Sequence, residues 1–107
     1  MQQIEPAELA AWLADTTRTP PVLLDVREHW EHERCRIGGS RLVPMGEVSQ
    51  RSNEFDPEAD VVVICHHGVR SYRVAKLLEY NGFSRVYNLI GGVERWARDV
   101  DPAMPRY

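Results

Sequence analysis

The stretch Val61-Val62-Val63-Ile64-Cys65-His66-His67-Gly68-Val69-Arg70-Ser71 decides the fold of this chain. Four consecutive β-branched residues are too apolar for a strand with one wet face. They suit a strand buried on both faces, as in a parallel sheet. The run ends at a cysteine, and a short loop containing glycine follows. From about Val69 to Tyr80, residues Val74, Ala75, Leu77 and Leu78 form an apolar stripe at helical spacing. This order predicts strand, loop and helix, with a thiol at the carboxyl end of the strand and beside a helix N-terminus.

Outward from this stretch the alternation continues on both sides. Ile4 starts a short edge strand, Pro6 suits the first turn of a helix, and Leu9, Trp12 and Leu13 carry that helix to about Asp15. Thr16 to Pro21 is a loop with paired prolines. Val22-Leu23-Leu24-Asp25-Val26 reads as a second buried strand, and Glu28 to Arg34 as a short polar helix. Gly38-Gly39-Ser40 turns into a brief strand, Arg41-Leu42-Val43, closed by Pro44; Gly46 to Ser52 is helical, and Asp56-Pro57-Glu58 turns. Downstream, Asn81-Gly82 ends the long helix. Val86 to Ile90 is a strand, and Gly91-Gly92 leads into a last helix with Val93, Trp96 and Ala97 on one face. Strands alternating with helices predict an α/β fold with a mostly parallel, five-stranded sheet and right-handed crossovers. Sites in such sheets gather at the carboxyl ends of strands. Cys65 lies at one such end and Asp25-Val26-Arg27 at another.

Composition narrows the function classes. At 107 residues the chain matches the common size of one domain, and with 43% hydrophobic and 27% charged residues it can bury a core. A net charge of -3 argues against a general nucleic-acid binder. Of the 13 basic residues only Lys76 is a lysine. Arginine suits oxyanion recognition, but a GC-rich genome produces the same bias. Two cysteines, Cys35 and Cys65, do not make a disulfide framework. No run approaches the roughly 18 apolar residues of a membrane span, and no secretory leader opens the chain. A reducing cytoplasm is the expected compartment.

The Cys65 loop carries the chemistry. The thiolate, not the thiol, is the nucleophile. Loop N–H groups from His66 to Ser71 can converge into an anion-binding nest. The following helix adds the positive end of its dipole, and Arg70 adds a permanent cation. Gly68 permits a backbone turn that a Cβ would resist. A buried core cysteine would explain the apolar neighbours, but not the two histidines, Gly68 and Arg70 that follow.

Other residues have plainer roles. His66 and His67 either tune the thiolate and move protons or, as favoured here, supply backbone N–H groups with side chains at a solvent-facing rim. Asp25 and Arg27 are expected to brace the wall of the site as an ion pair. Cys35 is expected to be an incidental thiol in the polar segment Glu33-Arg34-Cys35-Arg36, although a redox switch with Cys65 is an alternative. Trp12, Trp30 and Trp96 read as core or rim packing, with Trp30 the one expected near the site. Cys65-His66-His67 is too compact for tetrahedral zinc, so no metal and no cofactor is expected.

The chain resembles a single-domain rhodanese of the rhodanese-like sulfurtransferase family. Leu23-Leu24-Asp25-Val26-Arg27-Glu28 is similar to the family's first signature block and Cys65 to Ser71 to its active-site loop. Gly82-Phe83, Val86-Tyr87-Asn88-Leu89, Gly91-Gly92 and Trp96 are similar to its closing block. The resemblance covers most of the chain, with the core signature over about residues 17–107 and one domain over 1–107. It departs at Arg36-Ile37-Gly38-Gly39-Ser40, where the family usually has His-Ile-x-Gly-Ala.

The resemblance implies a three-layer fold, with helices on both faces of the sheet. It also implies transfer of sulfane sulfur from thiosulfate or a similar donor to cyanide, a thiol or a carrier protein. Cys65 would be the nucleophile and persulfide carrier. Arg70 would hold the anionic donor, with His66, His67, Gly68, Val69 and Ser71 completing the cradle. Asp25 and Arg27 would be structural supports. Neither nucleic acid nor membrane is an expected partner.

Two rivals share parts of this pattern. A cysteine-dependent phosphatase or arsenate reductase also uses cysteine, loop and arginine. Here, however, four residues separate Cys65 from Arg70, where the phosphatases place five, and Ile64 occupies the position of their usual histidine. A non-catalytic rhodanese-like binding module is the other rival. Inactive relatives commonly lack the cysteine, which this chain keeps.

Overall fold

The computed structural model describes residues 1–107. Five strands form one sheet: β1 (Gln2–Ile4), β2 (Val22–Asp25), β3 (Arg41–Leu42), β4 (Asp60–Ile64) and β5 (Arg85–Leu89). Five α-helices connect or flank them: α1 (Pro6–Ala14), α2 (His29–Arg34), α3 (Val48–Arg51), α4 (Val69–Tyr80) and α5 (Gly92–Asp99). The strand order is β1-β5-β4-β2-β3. All four pairings are parallel, so the expected mostly parallel sheet is wholly so. No helix is long and apolar enough to cross a membrane.

β4 is central because its side chains can be buried on both sides. Val61, Val62, Val63 and Ile64 each have 0% exposure. Their period-2 alternation divides them between two cores. Val62 and Ile64 join Leu9, Trp12, Val93 and Trp96 on the α1/α5 face, while Val61, Val63 and Cys65 join Val74, Ala75 and Leu78 on the α4 face. Each fully buried aliphatic side chain contributes about 1.5–3 kcal/mol.

The boundaries differ most from expectation at the first strand and at the 46–52 helix. β1 ends at Ile4 instead of starting there, because residues 2–4 pair with Tyr87–Leu89 and the Glu5–Glu8 capping box then opens α1. The expected 46–52 helix is three short pieces, 3₁₀ at Met45–Glu47, α3, and 3₁₀ at Ser52–Glu54. Beyond Asp99 the chain has no regular element. It nevertheless buries Met104 and brings Tyr107 back over the carboxyl end of the sheet.

Candidate active site

Cys65 follows directly on β4 and is 1% exposed. Its sulfur accepts a hydrogen bond from the Gly68 backbone N–H at 3.0 Å and lies 3.2 Å from Ser71 Oγ. Of the loop amides, Gly68's is the one that reaches the sulfur. Ser71, on the first turn of α4, donates in turn to Asn88 Oδ1 of β5. Asn88 donates through Nδ2 to the Gly68 carbonyl at 3.2 Å and to Gln3 Oε1 at 2.9 Å. A side-chain relay thus ties the sulfur's two neighbours to β5 and β1.

Two glycines make this loop possible. Gly68 has φ +97°, and a Cβ there would lie 3.2 Å from the Gly91 nitrogen. Gly92 has φ +58°, and a Cβ there would fall 2.3 Å from the Cys65 carbonyl oxygen. That closeness lets the first amides of α5 cap the loop: Val93 N–H donates to the Cys65 carbonyl at 2.9 Å and Glu94 N–H to that of His66 at 3.1 Å. The start of α5 therefore fixes the path of the chain at the thiol.

Arg70, the residue expected to hold a bound anion, places its two terminal nitrogens on the two Glu31 oxygens, at 2.7 and 2.9 Å. The bidentate pair draws the arginine toward α2, because Glu31 is itself 96% buried and needs charge-assisted partners. Hydrogen bonding from Arg70 is the main cause that holds the Glu31 carboxyl down at about 2. Pairing with Glu31 likewise raises the Arg70 pKa.

Behind this pair lies a second one. Arg27 and Asp25 are both fully buried, with Nη2 to Oδ2 at 2.8 Å and Nε to Oδ1 at 3.0 Å. Arg27 also donates to the Cys35 carbonyl at 2.6 Å and to the Tyr107 hydroxyl at 2.8 Å. Tyr107 donates its proton to Glu31 Oε2 at 2.8 Å. Burial pushes the phenol up to about 12, so it remains a donor at neutral pH. The chain Asp25–Arg27–Tyr107–Glu31–Arg70 joins the ends of β2 and α2 to the Cys65 loop.

His66 and His67 behave differently from each other. His67 is exposed at the rim, whereas His66 is half-buried between His67 and Tyr107, stacked at 3.9 Å on each. Burial, helped by the neighbouring His67, lowers the His66 pKa, and its Nε2 is buried without a partner. Val69 projects outward, 62% exposed. Trp30, also 62% exposed, meets Tyr107 edge to face at 5.6 Å, while Trp12 and Trp96 are core residues.

Cys35 is not a thiol lying free in a polar segment. It is 7% exposed, because the chain leaves α2 in an extended conformation that turns this residue inward. Its core is on the opposite face of the sheet from that of Cys65, which separates the two sulfurs, and both cysteines are free. No three His, Cys, Asp or Glu side chains converge in metal-holding geometry.

Sequence reasoning passed over Glu31, Asn88 as a loop support, and Tyr107. Glu31 had a weak signal as the N3 partner of Glu28 in a capping box. Tyr107 had none, since it lies 76 residues from Glu31 and outside any element.

The rhodanese-like domain profile matches residues 5–99. The chain belongs to the rhodanese-like domain family. A putative sulfur carrier protein, YrkF of Bacillus subtilis, is 39% identical over 69% of this rhodanese-like chain, which spans 40% of that relative's length. A thiosulfate sulfurtransferase, GlpE of Coxiella burnetii, is 39% identical over 70% of each chain. A rhodanese-like domain protein from Staphylococcus aureus has the same fold, with a TM-score of 0.85 at 29% identity over 100% of this chain and 99% of its own.

Proposed function

We propose that this rhodanese-like chain is a sulfurtransferase that carries sulfur as a persulfide on Cys65. The observation that carries the proposal is the Cys65 sulfur itself, held by the Gly68 N–H and Ser71 Oγ at the end of the central strand. A sulfur atom fixed in that way can attack along one direction, and the backbone N–H groups of the loop, Gly68's first, can hold the anionic sulfur that results. The Cys65 thiolate attacks the sulfane sulfur of thiosulfate or a similar donor. The sulfur–sulfur bond of the donor breaks, and sulfite leaves with its electron pair. A thiophilic acceptor (cyanide, a thiol or a carrier protein) then takes the outer sulfur and regenerates the thiolate. The sulfurtransferase and sulfur-carrier relatives support this reaction class.

Arg70 is the proposed anion-holding residue, sharing its charge between Glu31 and the donor. His66, His67, Gly68, Val69 and Ser71 form the cradle, and Asp25 and Arg27 brace it. The domain spans 1–107 and works in the cytoplasm, where its thiols stay reduced.

Mass spectrometry tests the reading. Wild-type protein incubated with thiosulfate should gain one sulfur atom and Cys65→Ser should gain none, while Cys35→Ser should load as wild type does. Loading of the Cys65→Ser variant, or failure of the wild type to load from any sulfane donor, would overturn it.

A further inference from the structure

The Cys65 sulfur has two hydrogen-bonding neighbours, and they act on it with opposite sign. The Gly68 N–H can only donate, so its bond at 3.0 Å strengthens as the sulfur gains negative charge. Ser71 Oγ, 3.2 Å away, carries one hydrogen and can either donate to a thiolate or accept from a thiol. Asn88 decides between the two. Its Nδ2 donates to the Gly68 carbonyl at 3.2 Å and to Gln3 Oε1 at 2.9 Å. A turned amide would set Oδ1 against the Gly68 carbonyl oxygen, so the amide has one orientation. Oδ1 therefore faces Ser71, and as a carbonyl oxygen it can only accept.

The single Ser71 hydrogen is thus committed to Asn88, and Ser71 presents a lone pair to the sulfur. A thiol S–H matches that lone pair, whereas a thiolate is repelled by it. Ser71 can turn its hydrogen to a thiolate only by leaving Asn88 Oδ1 without that donor. Ser71 is 0% and Asn88 3% exposed, so an orphaned oxygen there carries its full desolvation cost. The charged and titratable groups around the loop are Arg70 of α4 with Glu31 of α2, His66 and His67, Glu94 of α5, Tyr107, and the Asp25–Arg27 pair at the end of β2. None of them bonds the sulfur, and none bonds the Asn88 side chain.

We propose that Asn88 is a positioning residue that restrains the ionisation of Cys65: acting through Ser71, it favours the thiol over the free thiolate. Ionisation sends the thiol proton to solvent. It then either breaks the Ser71–Asn88 bond or sets an anion against the Ser71 lone pair. Once the sulfur is the inner atom of a persulfide it carries no charge, and Ser71 keeps its bond to Asn88. The relay therefore weighs against the free thiolate and not against the loaded protein. That consequence for transfer rests on the sulfurtransferase reading above; the restraint on the thiol does not.

Ultraviolet absorbance of the thiolate, taken as the difference between each protein and its Cys65→Ser counterpart, reads the ionisation across a pH titration. Asn88→Leu, similar in size and uncharged, frees the Ser71 hydroxyl to donate to the sulfur. On the acid side of the titration its thiolate fraction should exceed that of wild type by about three- to tenfold, as expected for one buried hydrogen bond. Ser71→Ala removes the acceptor of the thiol hydrogen and should raise the fraction by a smaller factor. Asn88→Leu added to Ser71→Ala should change nothing further, because the effect passes through Ser71. A Ser71 hydroxyl that donates to the thiolate predicts the reverse, a fall in Ser71→Ala. An unchanged or lower fraction in either single variant would overturn the proposal, and so would an equal effect of Asn88→Leu with and without Ser71. If Asn88→Leu does not fold, the sign of the Ser71→Ala change decides. No sulfur donor enters the measurement. Absence of these changes in a protein that loads normally would overturn the relay alone, and their presence in a protein that never loads would uphold the relay and overturn the sulfurtransferase reading.

Discussion

Arg70 and Glu31 form a two-point pair beside the Cys65 loop, with Nη1 donating to Oε1 at 2.7 Å and Nη2 to Oε2 at 2.9 Å. Glu31 comes from α2 and Arg70 from α4, so the pair spans 39 residues of sequence. It fixes a side chain that would otherwise sweep a wide arc. The arginine charge at the rim is therefore pre-positioned and partly neutralised. A donor anion has to share it with Glu31.

That geometry predicts how Arg70 variants fail. Arg70→Ala should lower kcat/KM for loading from thiosulfate by about tenfold, the lower end for a charge-assisted contact because the side chain is 31% exposed. Loading from an uncharged organic trisulfide should fall much less. Arg70→Lys should not restore thiosulfate loading, since an ammonium cannot span both Glu31 oxygens and still face the donor. Equal losses for charged and uncharged donors would remove the anion-holding role.

The same pair sets a pH dependence of stability. Glu31 is held at about 2, mainly by hydrogen bonding from Arg70, against an ordinary 4.5. A depressed carboxyl stabilises the fold fully above its unfolded value and loses that contribution as pH falls toward its folded value. The shift corresponds to at most about 3 kcal/mol, present above about pH 4.5 and gone near pH 2. Glu31→Gln should be less stable than wild type at pH 7 in urea unfolding, and the gap should shrink to less than half by pH 3. A gap independent of pH would contradict the assignment.

Tyr107 makes a separable contribution. Its hydroxyl bridges Arg27 and Glu31 at 2.8 Å each, while its ring stacks on His66. Tyr107→Phe keeps the ring and strips a buried donor and a buried acceptor of one partner, which should cost about 1 kcal/mol. Tyr107→Ala should cost about 1 kcal/mol more by losing the aromatic contact. Urea titration of the three proteins measures both steps. A Phe variant as stable as wild type would show that the hydroxyl bridge contributes nothing.

The parts of this molecule that were legible in the sequence are those written locally. β4 and α4 announced themselves through β-branched and helical periodicity, and all five strands were visible in outline. Cys65, Gly68 and Arg70 stood within six residues of each other, so their loop was readable. The rest depended on contacts that no local pattern encodes. The Arg70–Glu31 pair needs the parallel placement of β2 beside β4, which brings α2 to the loop. Tyr107 needs an irregular segment to fold back across the sheet end. Cys35 was misjudged because its neighbours are charged; one extended residue at the end of α2 sends it into the core.

Gly92 should be the glycine least able to change. Its φ of +58° already disfavours a side chain, and a Cβ would meet the Cys65 carbonyl oxygen at 2.3 Å and that of His66 at 2.4 Å. Those carbonyls accept the Val93 and Glu94 amides, so the clash falls on the bonds that fix the loop. Gly82 is the matched control, with φ +95° and nothing within 4 Å of its Cβ position. Gly82→Ala should cost only the left-handed backbone strain, about 1–2 kcal/mol. Gly92→Ala adds displacement of backbone that cannot yield without moving Cys65, for a total of about 3 kcal/mol or more. Urea unfolding of the two variants tests the order, and sulfur loading should fall for Gly92→Ala while folded Gly82→Ala loads normally. If both variants lose equal stability and load equally, α5 does not hold the Cys65 loop in place.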